Sequence, residues 1–305
     1  MKMNSPVSGL ALALAAGLLL AAAPMAAPAQ ALDPAAQRAL DAYVESAMAD
    51  WGVPGVAIAV VKDDQVVMAR GYGEREVGSG EPVDENTVFA IASITKSFTS
   101  AAMGMLVEEG RVAWDDPVTE HLSGFQLADP WVTREFTIRD LLSHRAGVER
   151  GDWLWFGTDY DRDEVVHHLR YLRPVADFRA DYGYSNNMYI AAGQLIAEVT
   201  GTNWDDFVTR RIFEPLGMRR SNTTVRALPA MDNVAAPHEE LNGALTTVPP
   251  GNLDNEGPGG SINSSVAQMA QWIRLMLNGG EVDGRRLLDS ATIAEIHSPH
   301  VVIPV

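Results

Sequence analysis

Two short apolar segments joined by a polar turn come before a long series of helical patterns, and this order restricts the fold most strongly. Val56 to Val61 is rich in valine and isoleucine, and Val66 to Ala69 is apolar again. Asp63-Asp64-Gln65 between them is polar, and Gly71-Tyr72-Gly73 follows the second segment. Such runs, bounded by turn residues, predict an antiparallel β-hairpin that the glycine pair closes.

Apolar residues spaced three and four apart recur in a series of other segments, which predicts helices. Glycine or proline follows several of these segments, as is typical of helix ends. The expected helices are Pro34 to about Ala49 with Asp33 as N-cap, Ser93–Glu109, Ile138–Leu142, Arg162–Tyr171, Met188–Val199, Asn203–Phe213, Val266–Leu277 and Ala291–Ile296 with Ser290 as cap. The centre of the protein is therefore expected to be helical. Val301 to Val305 is expected to begin a further strand.

Residues 1–31 differ from the rest of the chain and indicate a secretory signal peptide. Lys2 supplies a positive start, Leu10 to Ala23 is an unbroken apolar run, and Ala29-Gln30-Ala31 offers small residues to signal peptidase. The alternative is an uncleaved membrane anchor, but the run is short for a full span and Pro24 interrupts it. We therefore expect a secreted or periplasmic protein with no stable membrane anchor after cleavage.

Composition argues against several classes of partner and cofactor. The formal net charge is −17, and such an acidic surface repels nucleic acid and anionic membranes. Cysteine and His-Glu-x-x-His are absent, and His167 and His168 are adjacent on a helix, so no metal site is expected. No phosphate loop, dinucleotide fingerprint or Gly-x-Ser-x-Gly sequence occurs. The expected partner is a small-molecule or peptide substrate, without a cofactor.

Lysine is rare in this chain, and one of only three lysines lies three residues after a serine. Lys2 belongs to the leader and Lys62 to the hairpin turn, whereas Ser93-Ile94-Thr95-Lys96 begins a predicted helix. Positions three apart share a helix face, and a helix N-terminus favours negative charge on the serine oxygen. Unlike arginine, a buried lysine can lose its proton and act as a base. The pair has the layout of a nucleophile beside a base, although Ser-x-x-Lys also occurs by chance.

A second polar cluster, Tyr182-Gly183-Tyr184-Ser185-Asn186-Asn187, lies just before a predicted helix. Tyr184 and Asn186 are two apart, so in extended backbone their side chains point the same way. A tyrosine can pass a proton if cations hold it as phenolate, and an asparagine amide can orient a substrate carbonyl. Both residue types are also common before helices, so Asn186 alone could be a helix cap.

The third cluster is Leu141-Leu142-Ser143-His144-Arg145-Ala146-Gly147. His144 is a conceivable general base. A helix end with polar caps explains the same residues, and we favour that interpretation.

In this order, the three clusters resemble the motifs of the serine β-lactamase and penicillin-binding-protein superfamily. The likeness is strongest to the class C β-lactamase-like branch, which includes serine esterases and D-amino-acid-specific peptidases. It extends from about residue 36 to about 297, and the matching segments include Gly110 to Val112, Trp114 to Val118, Ile212 to Met218 and Gly259 to Trp272. The resemblance implies an α+β fold of β-lactamase/transpeptidase type. An antiparallel sheet would be flanked by helices in one domain over residues 32–305, with a helical region at about 93–247 inserted after the N-terminal strands.

The resemblance also implies a role for each candidate residue. Ser93 would be the acylated nucleophile, and its backbone N–H would supply half of the oxyanion hole. Lys96 and Tyr184 would activate the serine and pass protons to the leaving group, while Asn186 would hold the substrate amide or ester. The implied protein is a secreted serine hydrolase that cleaves an ester, amide, peptide or β-lactam bond. Ester or D-amino-acid peptide hydrolysis is favoured over efficient β-lactam hydrolysis.

One part of the family pattern is absent from this sequence. The family has a third motif, Lys/His-Thr/Ser-Gly, on a strand that borders the site. No such triplet occurs downstream, and His297-Ser298-Pro299 lacks the glycine. Because that strand also supplies the second oxyanion donor, we expect the motif and the C-terminal strands to lie beyond residue 305. Its absence supports the alternative of a catalytically silent, penicillin-binding-like binding or regulatory protein.

Overall fold

The computed structural model describes residues 32–303, so the predicted signal peptide lies outside the described residues. The helices are α1 (Pro34–Trp51), α2 (Thr95–Glu108), α3 (Val118–His121), α4 (Pro130–Glu135), α5 (Ile138–Leu142), α6 (Arg162–His168), α7 (Asn186–Thr200), α8 (Trp204–Val208), α9 (Val266–Leu277) and α10 (Ser290–Ile296). The strands are β1 (Gly55–Lys62), β2 (Gln65–Gly73), β3 (Phe89–Ala90), β4 (His238–Leu241), β5 (Ala244–Thr247), β6 (Asn263–Ser264), β7 (Glu281–Val282) and β8 (Arg285–Arg286). Within this range, no helix combines the length and hydrophobicity needed to span a bilayer.

Strands β1 and β2 form the predicted antiparallel hairpin. Its two-residue turn, Asp63-Asp64, has positive φ at both positions (51° and 59°), which suits the right-handed twist of the strands. The prediction that the glycine pair closes the hairpin is wrong, because Gly71 and Gly73 lie inside β2. A Cβ on Gly71 would lie 2.2 Å from the carbonyl oxygen of Val83, so glycine at this position lets another chain segment cross the strand closely.

Small two-stranded antiparallel sheets make up the β structure of residues 32–303. Strand β3 pairs with β6, β4 with β5, and β7 with β8. Helix α9 packs on the β1–β2 hairpin, whereas no described strand pairs with the second edge of β1. The protein therefore combines α-helices and antiparallel strands in an α+β arrangement. Residues 301–303 are not paired as a strand, so the strand predicted to begin at Val301 is not present there.

The predicted helix positions are largely confirmed. Helices α5 and α9 have the predicted bounds, and the Asp33 carboxylate caps α1 by accepting from the N–H of Ala36 at 3.3 Å. The predicted cap of the last helix is wrong by one residue, because Ser290 is the first helical residue and Asp289 occupies the N-cap position.

Three predicted helices are interrupted by a tighter or wider turn. A 3₁₀ turn over Ala92–Ile94 precedes α2, so Ser93 lies in this turn and not in the α-helix. A 3₁₀ turn over Leu169–Tyr171 follows α6, and a π-helical turn over Thr209–Phe213 follows α8. Hydrophobic spacing locates a helical segment but does not distinguish these turn types, because all of them place the same side chains on similar faces.

Helices α2 and α7 form the centre of the core and pack against each other. Every residue from Phe98 to Leu106 in α2 and from Asn186 to Gly193 in α7 is buried. The Phe98 ring stacks on Trp272 of α9, with their centroids 3.9 Å apart. Because both helices are enclosed, the polar residues in their first turns are held in fixed positions inside the protein.

A buried carboxylate connects α5 to two arginines that follow it in the chain. Asp140 is fully buried and accepts from the Arg145 Nε at 2.7 Å and from the Arg179 Nη2 at 2.6 Å. It also completes a capping box with Thr137. Burial alone would raise the pKa of Asp140, but the hydrogen bonds from Arg179 and Thr137 outweigh it, and the pKa lies below its ordinary value of 3.8.

We predict that Asp140→Asn lowers the free energy of unfolding by about 3–5 kcal/mol at neutral pH, because it breaks a buried ion pair from one side. Urea denaturation followed by circular dichroism measures this change. Because the native pKa is depressed, the contribution is present above about pH 4 and is lost as the pH falls through the native value. The exposed Asp159→Asn is the matched control and should change stability by less than about 0.5 kcal/mol.

Candidate active site

The amino group of Lys96 occupies a buried position where three chain segments meet. Its Nζ donates to the Asn186 Oδ1 and the Gly259 carbonyl oxygen, both at 2.7 Å, and lies 3.2 Å from the Ser93 Oγ. Only 7% of the residue is exposed. The predicted Ser93–Lys96 contact is therefore present, although Ser93 lies in the 3₁₀ turn.

Ser93 is exposed at the start of α2, and its hydroxyl also meets a tyrosine. The Ser93 Oγ and the Tyr184 hydroxyl are 2.6 Å apart. The backbone hydrogen bonds of the 3₁₀ turn are donated by the N–H groups of Ile94 and Thr95. Within residues 32–303, the Ser93 N–H therefore remains available to a substrate oxygen. Ala92, immediately before the serine, has φ of +46°, a strained conformation of the kind found at functional sites.

The Tyr184 ring has two cationic groups and an imidazole as neighbours. The Lys96 Nζ is 4.9 Å from the ring centroid, and the Arg150 Cζ is 5.3 Å from it. The His144 imidazole stacks on the Tyr184 ring, with the two centroids 4.4 Å apart. A cation over an aromatic ring is attracted to the ring face. These contacts place two cationic side chains beside Tyr184.

His144 follows α5, as the favoured helix-end interpretation requires, and it also supports Tyr184. Its backbone has φ of +56°, and its Nδ1 accepts from the backbone N–H of Ser185 at 3.2 Å. Burial, together with the charge of Lys96, lowers the pKa of His144 to about 4. The ring is therefore neutral at physiological pH and is too weak a base for efficient general-base catalysis.

Asn186 is the first residue of α7, and Ser185 is the N-cap, so the interpretation of Asn186 as a cap is wrong. Its Oδ1 accepts from Lys96, and its Nδ2 donates to the Asp152 Oδ1 at 3.3 Å. Asp152 in turn pairs with Arg150, whose guanidinium lies over the Tyr184 ring. Asn186 thus links the lysine to the residues that surround the tyrosine.

A buried acid that no sequence motif indicated lies beside the lysine. The Glu256 Oε1 lies 3.9 Å from the Lys96 Nζ, and 3% of Glu256 is exposed. Burial raises the pKa of Glu256 to about 7, even though the Lys96 charge opposes this rise. The only local signal was an acid directly before the sequence Gly-Pro-Gly-Gly, which forms the turn that carries the Gly259 carbonyl.

A separate group of Asp116, Glu120 and His121 has ligand atoms within 4.8 Å of one another. The Asp116 carboxylate already accepts from the N–H of Ala113 at 2.7 Å and contacts the His121 Nε2 at 2.8 Å. These contacts account for the cluster as a local polar network. None of the three residues contacts Ser93 or Lys96 within the described part of the chain.

The geometry combines an exposed hydroxyl, two groups able to exchange its proton, and a free backbone donor. A family model described as Beta-lactamase matches residues 40–299. The chain belongs to the beta-lactamase family. The resemblance to the serine β-lactamase and penicillin-binding-protein superfamily and the expected β-lactamase/transpeptidase-like α+β fold are thereby confirmed.

Curated proteins similar in sequence to this chain include hydrolases and penicillin-binding proteins. Unguisins hydrolase ungD of Aspergillus violaceofuscus (strain CBS 115571) is 34% identical over 250 residues, which are 77% of this chain and 44% of that protein. Penicillin-binding protein 4 of Amycolatopsis lactamdurans is 32% identical over 257 residues, covering 79% of this chain and 64% of that protein. The chain spans about half the length of the curated relatives it matches.

Solved structures share the same fold. The octameric penicillin-binding protein homologue from Pyrococcus abyssi has a TM-score of 0.78 at 27% identity, covering 88% of this chain and 61% of that chain. EstCE1, described as a hydrolase with promiscuous acyltransferase activity, has a TM-score of 0.73 at 17% identity, over 85% of this chain and 75% of that chain. At 17% identity the second likeness concerns the fold alone.

In this beta-lactamase family chain, we predict that Gly259→Ala slows labelling by a fluorescent fluorophosphonate about tenfold or more, because a small displacement of reactive groups lowers a rate steeply. A Cβ on Gly259 would lie 2.2 Å from the Glu256 Oε1, so the carboxylate must shift, and it would also contact the Lys96 Nζ at 3.5 Å. The labelling rate is read from gel fluorescence over time. Gly251→Ala, which adds a Cβ with nothing within 4 Å, is the control, and equal slowing of both variants would contradict the prediction.

Proposed function

We propose that this chain is a serine hydrolase, secreted or periplasmic, that forms an acyl-enzyme on Ser93. The observation that carries the proposal is the position of the exposed Ser93 hydroxyl, 2.6 Å from the Tyr184 hydroxyl and 3.2 Å from the Lys96 Nζ. A nucleophile in direct contact with proton-accepting groups is the arrangement that covalent hydrolysis requires. The hydrolase and penicillin-binding names of its relatives support the same reaction class.

In acylation, the Ser93 Oγ forms a bond to the acyl carbon, and its proton passes to the Lys96–Tyr184 pair. The pair then gives that proton to the leaving alcohol or amine as the acyl–heteroatom bond breaks. In deacylation the oxygen of a water molecule forms a bond to the acyl carbon while the pair takes its proton. The Ser93 Oγ–acyl bond then breaks, the acid product leaves, and the proton returns to the Ser93 oxygen. This path uses each group twice and needs no cofactor.

The developing negative charge on the substrate oxygen would be met by the free N–H of Ser93 at the start of α2. Peptide dipoles at a helix N-terminus favour such charge. Asn186 would contact the substrate amide or ester through its Nδ2, whose present bond to Asp152 is long at 3.3 Å. Exchanging this bond for one to substrate leaves the contact with Lys96 in place.

The proposed substrates are esters or D-amino-acid-type peptides, in preference to rapid hydrolysis of a β-lactam. The name of the unguisins hydrolase supports a hydrolytic reaction, and that of penicillin-binding protein 4 supports a small-molecule ligand. Beside Asp152, the Trp153 side chain is 57% exposed, and Phe156 in the same segment is 69% exposed. Exposed aromatic rings in this segment could contact an apolar acyl group.

The second candidate is a catalytically silent, penicillin-binding-like protein with a binding or regulatory role. The name of the related penicillin-binding protein 4 favours this candidate, because it describes binding and not hydrolysis. A silent protein would bind acylating probes reversibly but would not turn over esters, so turnover distinguishes the two candidates.

We predict that the wild-type chain is labelled by a fluorescent fluorophosphonate and that Ser93→Ala abolishes labelling, because the attacking oxygen is removed. Ser298→Ala, which changes an exposed serine in another part of the chain, is the matched control and should label normally. Hydrolysis of a p-nitrophenyl ester, a chromogenic cephalosporin and a D-Ala-D-Ala peptide then ranks the substrates. Equal labelling of wild type and Ser93→Ala would refute the nucleophile assignment.

Tyr184→Phe is expected to lower the acylation rate about 10²–10⁴-fold, as is typical when a proton-transfer group is removed, with a smaller effect on KM. Stopped-flow release of p-nitrophenol measures the acylation burst. Tyr182→Phe is the control, since its ring packs edge-on against His144. If turnover by Tyr184→Phe were unchanged, Tyr184 would not belong to the proton path.

A further inference from the structure

Glu256 is a buried acid for which the proposed reaction has so far no role. Its Oε1 is 3.9 Å from the Lys96 Nζ, and among residues 32–303 no N–H or O–H donates to its carboxylate. Two glycines pack directly on the group, because a Cβ on Gly259 or on Gly260 would lie 2.2 Å from one of its oxygens. The turn thus holds a largely buried carboxylate, without a hydrogen-bond donor, against the lysine, and such a charge is unfavourable unless a nearby opposite charge compensates it.

We propose that Glu256 is a positioning residue that keeps Lys96 in its ammonium form, so that Tyr184, as phenolate, accepts the proton of Ser93. This inference rests on the proposed acyl-enzyme at Ser93. Neither the sequence nor the hydrogen bonds show whether Lys96 or Tyr184 accepts the proton, and the proposed role of Glu256 selects Tyr184.

The hydrogen bonds of Lys96 fit either of its protonation states. The Asn186 Oδ1 and the Gly259 carbonyl are pure acceptors, so two of its N–H groups are committed to them. Toward the Ser93 Oγ, an ammonium would donate its third N–H, whereas a neutral amine would present its lone pair. A further interaction must therefore select between the two states.

The charge of Glu256 supplies this selection. Lysine amine with tyrosine phenol, and lysine ammonium with tyrosine phenolate, contain the same number of protons. A carboxylate beside Nζ stabilises the second arrangement, because it places opposite charges in contact inside the protein. The phenolate then takes the Ser93 proton as the Oγ–acyl bond forms and gives it to the leaving group, while the ammonium remains unchanged.

Other charged groups facing Glu256 are held by separate partners. Asp152 faces it from the turn after Gly151 and disfavours a second negative charge, whereas Arg162 at the start of α6 favours one. The Arg162 guanidinium pairs with the Asp205 carboxylate at 2.6 Å and donates to the Asp254 carbonyl. Lys96 is therefore the cation that Glu256 affects most directly.

The ionisation of Glu256 gives this role a distinct pH dependence. Its pKa is raised to about 7, chiefly by burial. Below that pH the carboxyl is neutral, the ammonium–phenolate arrangement loses its support, and acylation is slow. As the pH rises from 6 to 8, the carboxyl ionises and acylation accelerates.

The test compares Glu256→Gln with wild type in full-length protein, by the rate of fluorophosphonate labelling and of the p-nitrophenyl acetate burst from pH 6 to 8. The expected result is similar rates at pH 6 and a deficit of at least tenfold at pH 8, with the rise near pH 7 missing from the variant. Exposed Glu214→Gln is the matched control and should keep the wild-type profile. Circular dichroism and thermal unfolding verify that each variant is folded.

Two outcomes would overturn the proposal while the proposed function stands: the variant keeps the wild-type pH profile, or it acylates faster than wild type at pH 8. A faster variant would identify neutral Lys96 as the base. If Glu256→Gln does not fold, Glu256→Asp is measured instead, and a retained but weakened rise near pH 7 supports the role. Absence of labelling in wild type would contradict the proposed function itself, which separates the two failures.

Discussion

The interaction on which the site depends is the enclosure of the Lys96 amino group by acceptors from distant parts of the chain. Asn186 comes from the first turn of α7, and Gly259 comes from the turn between β5 and β6. A lysine amine deprived of water needs such partners, because a buried charge without them is strongly unfavourable. Satisfying one side chain therefore fixes the relative positions of α2, α7 and the Gly257–Gly259 turn, and the Ser93 and Tyr184 hydroxyls meet as a result.

The burial of α2 and α7 makes this enclosure rigid. Their apolar faces are filled on all sides, as the stacked rings of Phe98 and Trp272 show, so their first turns cannot shift without opening the core. The strained backbone of Ala92 and His144 is placed beside these rigid ends. Strained backbone at Ala92 and His144 persists only where the surrounding packing prevents it from relaxing.

The surroundings of the lysine and of the tyrosine differ in a way that has chemical meaning. The lysine faces a carboxylate packed between glycines, whereas the tyrosine ring contacts a neutral imidazole and a guanidinium. The role proposed for Glu256 depends on this difference in charge around the two groups. Much of the sequence basis for this arrangement was visible, because Ser93, Lys96, Tyr184 and Asn186 lie in short motifs. Glu256 was not visible, since a single acid in a loop has no periodicity or spacing that distinguishes it.

Local sequence by itself determined the hairpin, through its apolar strands and Asp63-Asp64 turn, and the positions of the long helices, through their apolar spacing. It also determined which residue types could perform the chemistry. Tertiary structure alone decided that Ser93 lies in a 3₁₀ turn, that Ser185 caps α7 so that Asn186 can reach Lys96, and that Glu256 lies beside the same lysine. The physical reason is that periodicity and turn propensity act over a few residues. Desolvation and charge depend on neighbours that folding brings together from 90 and 163 positions away.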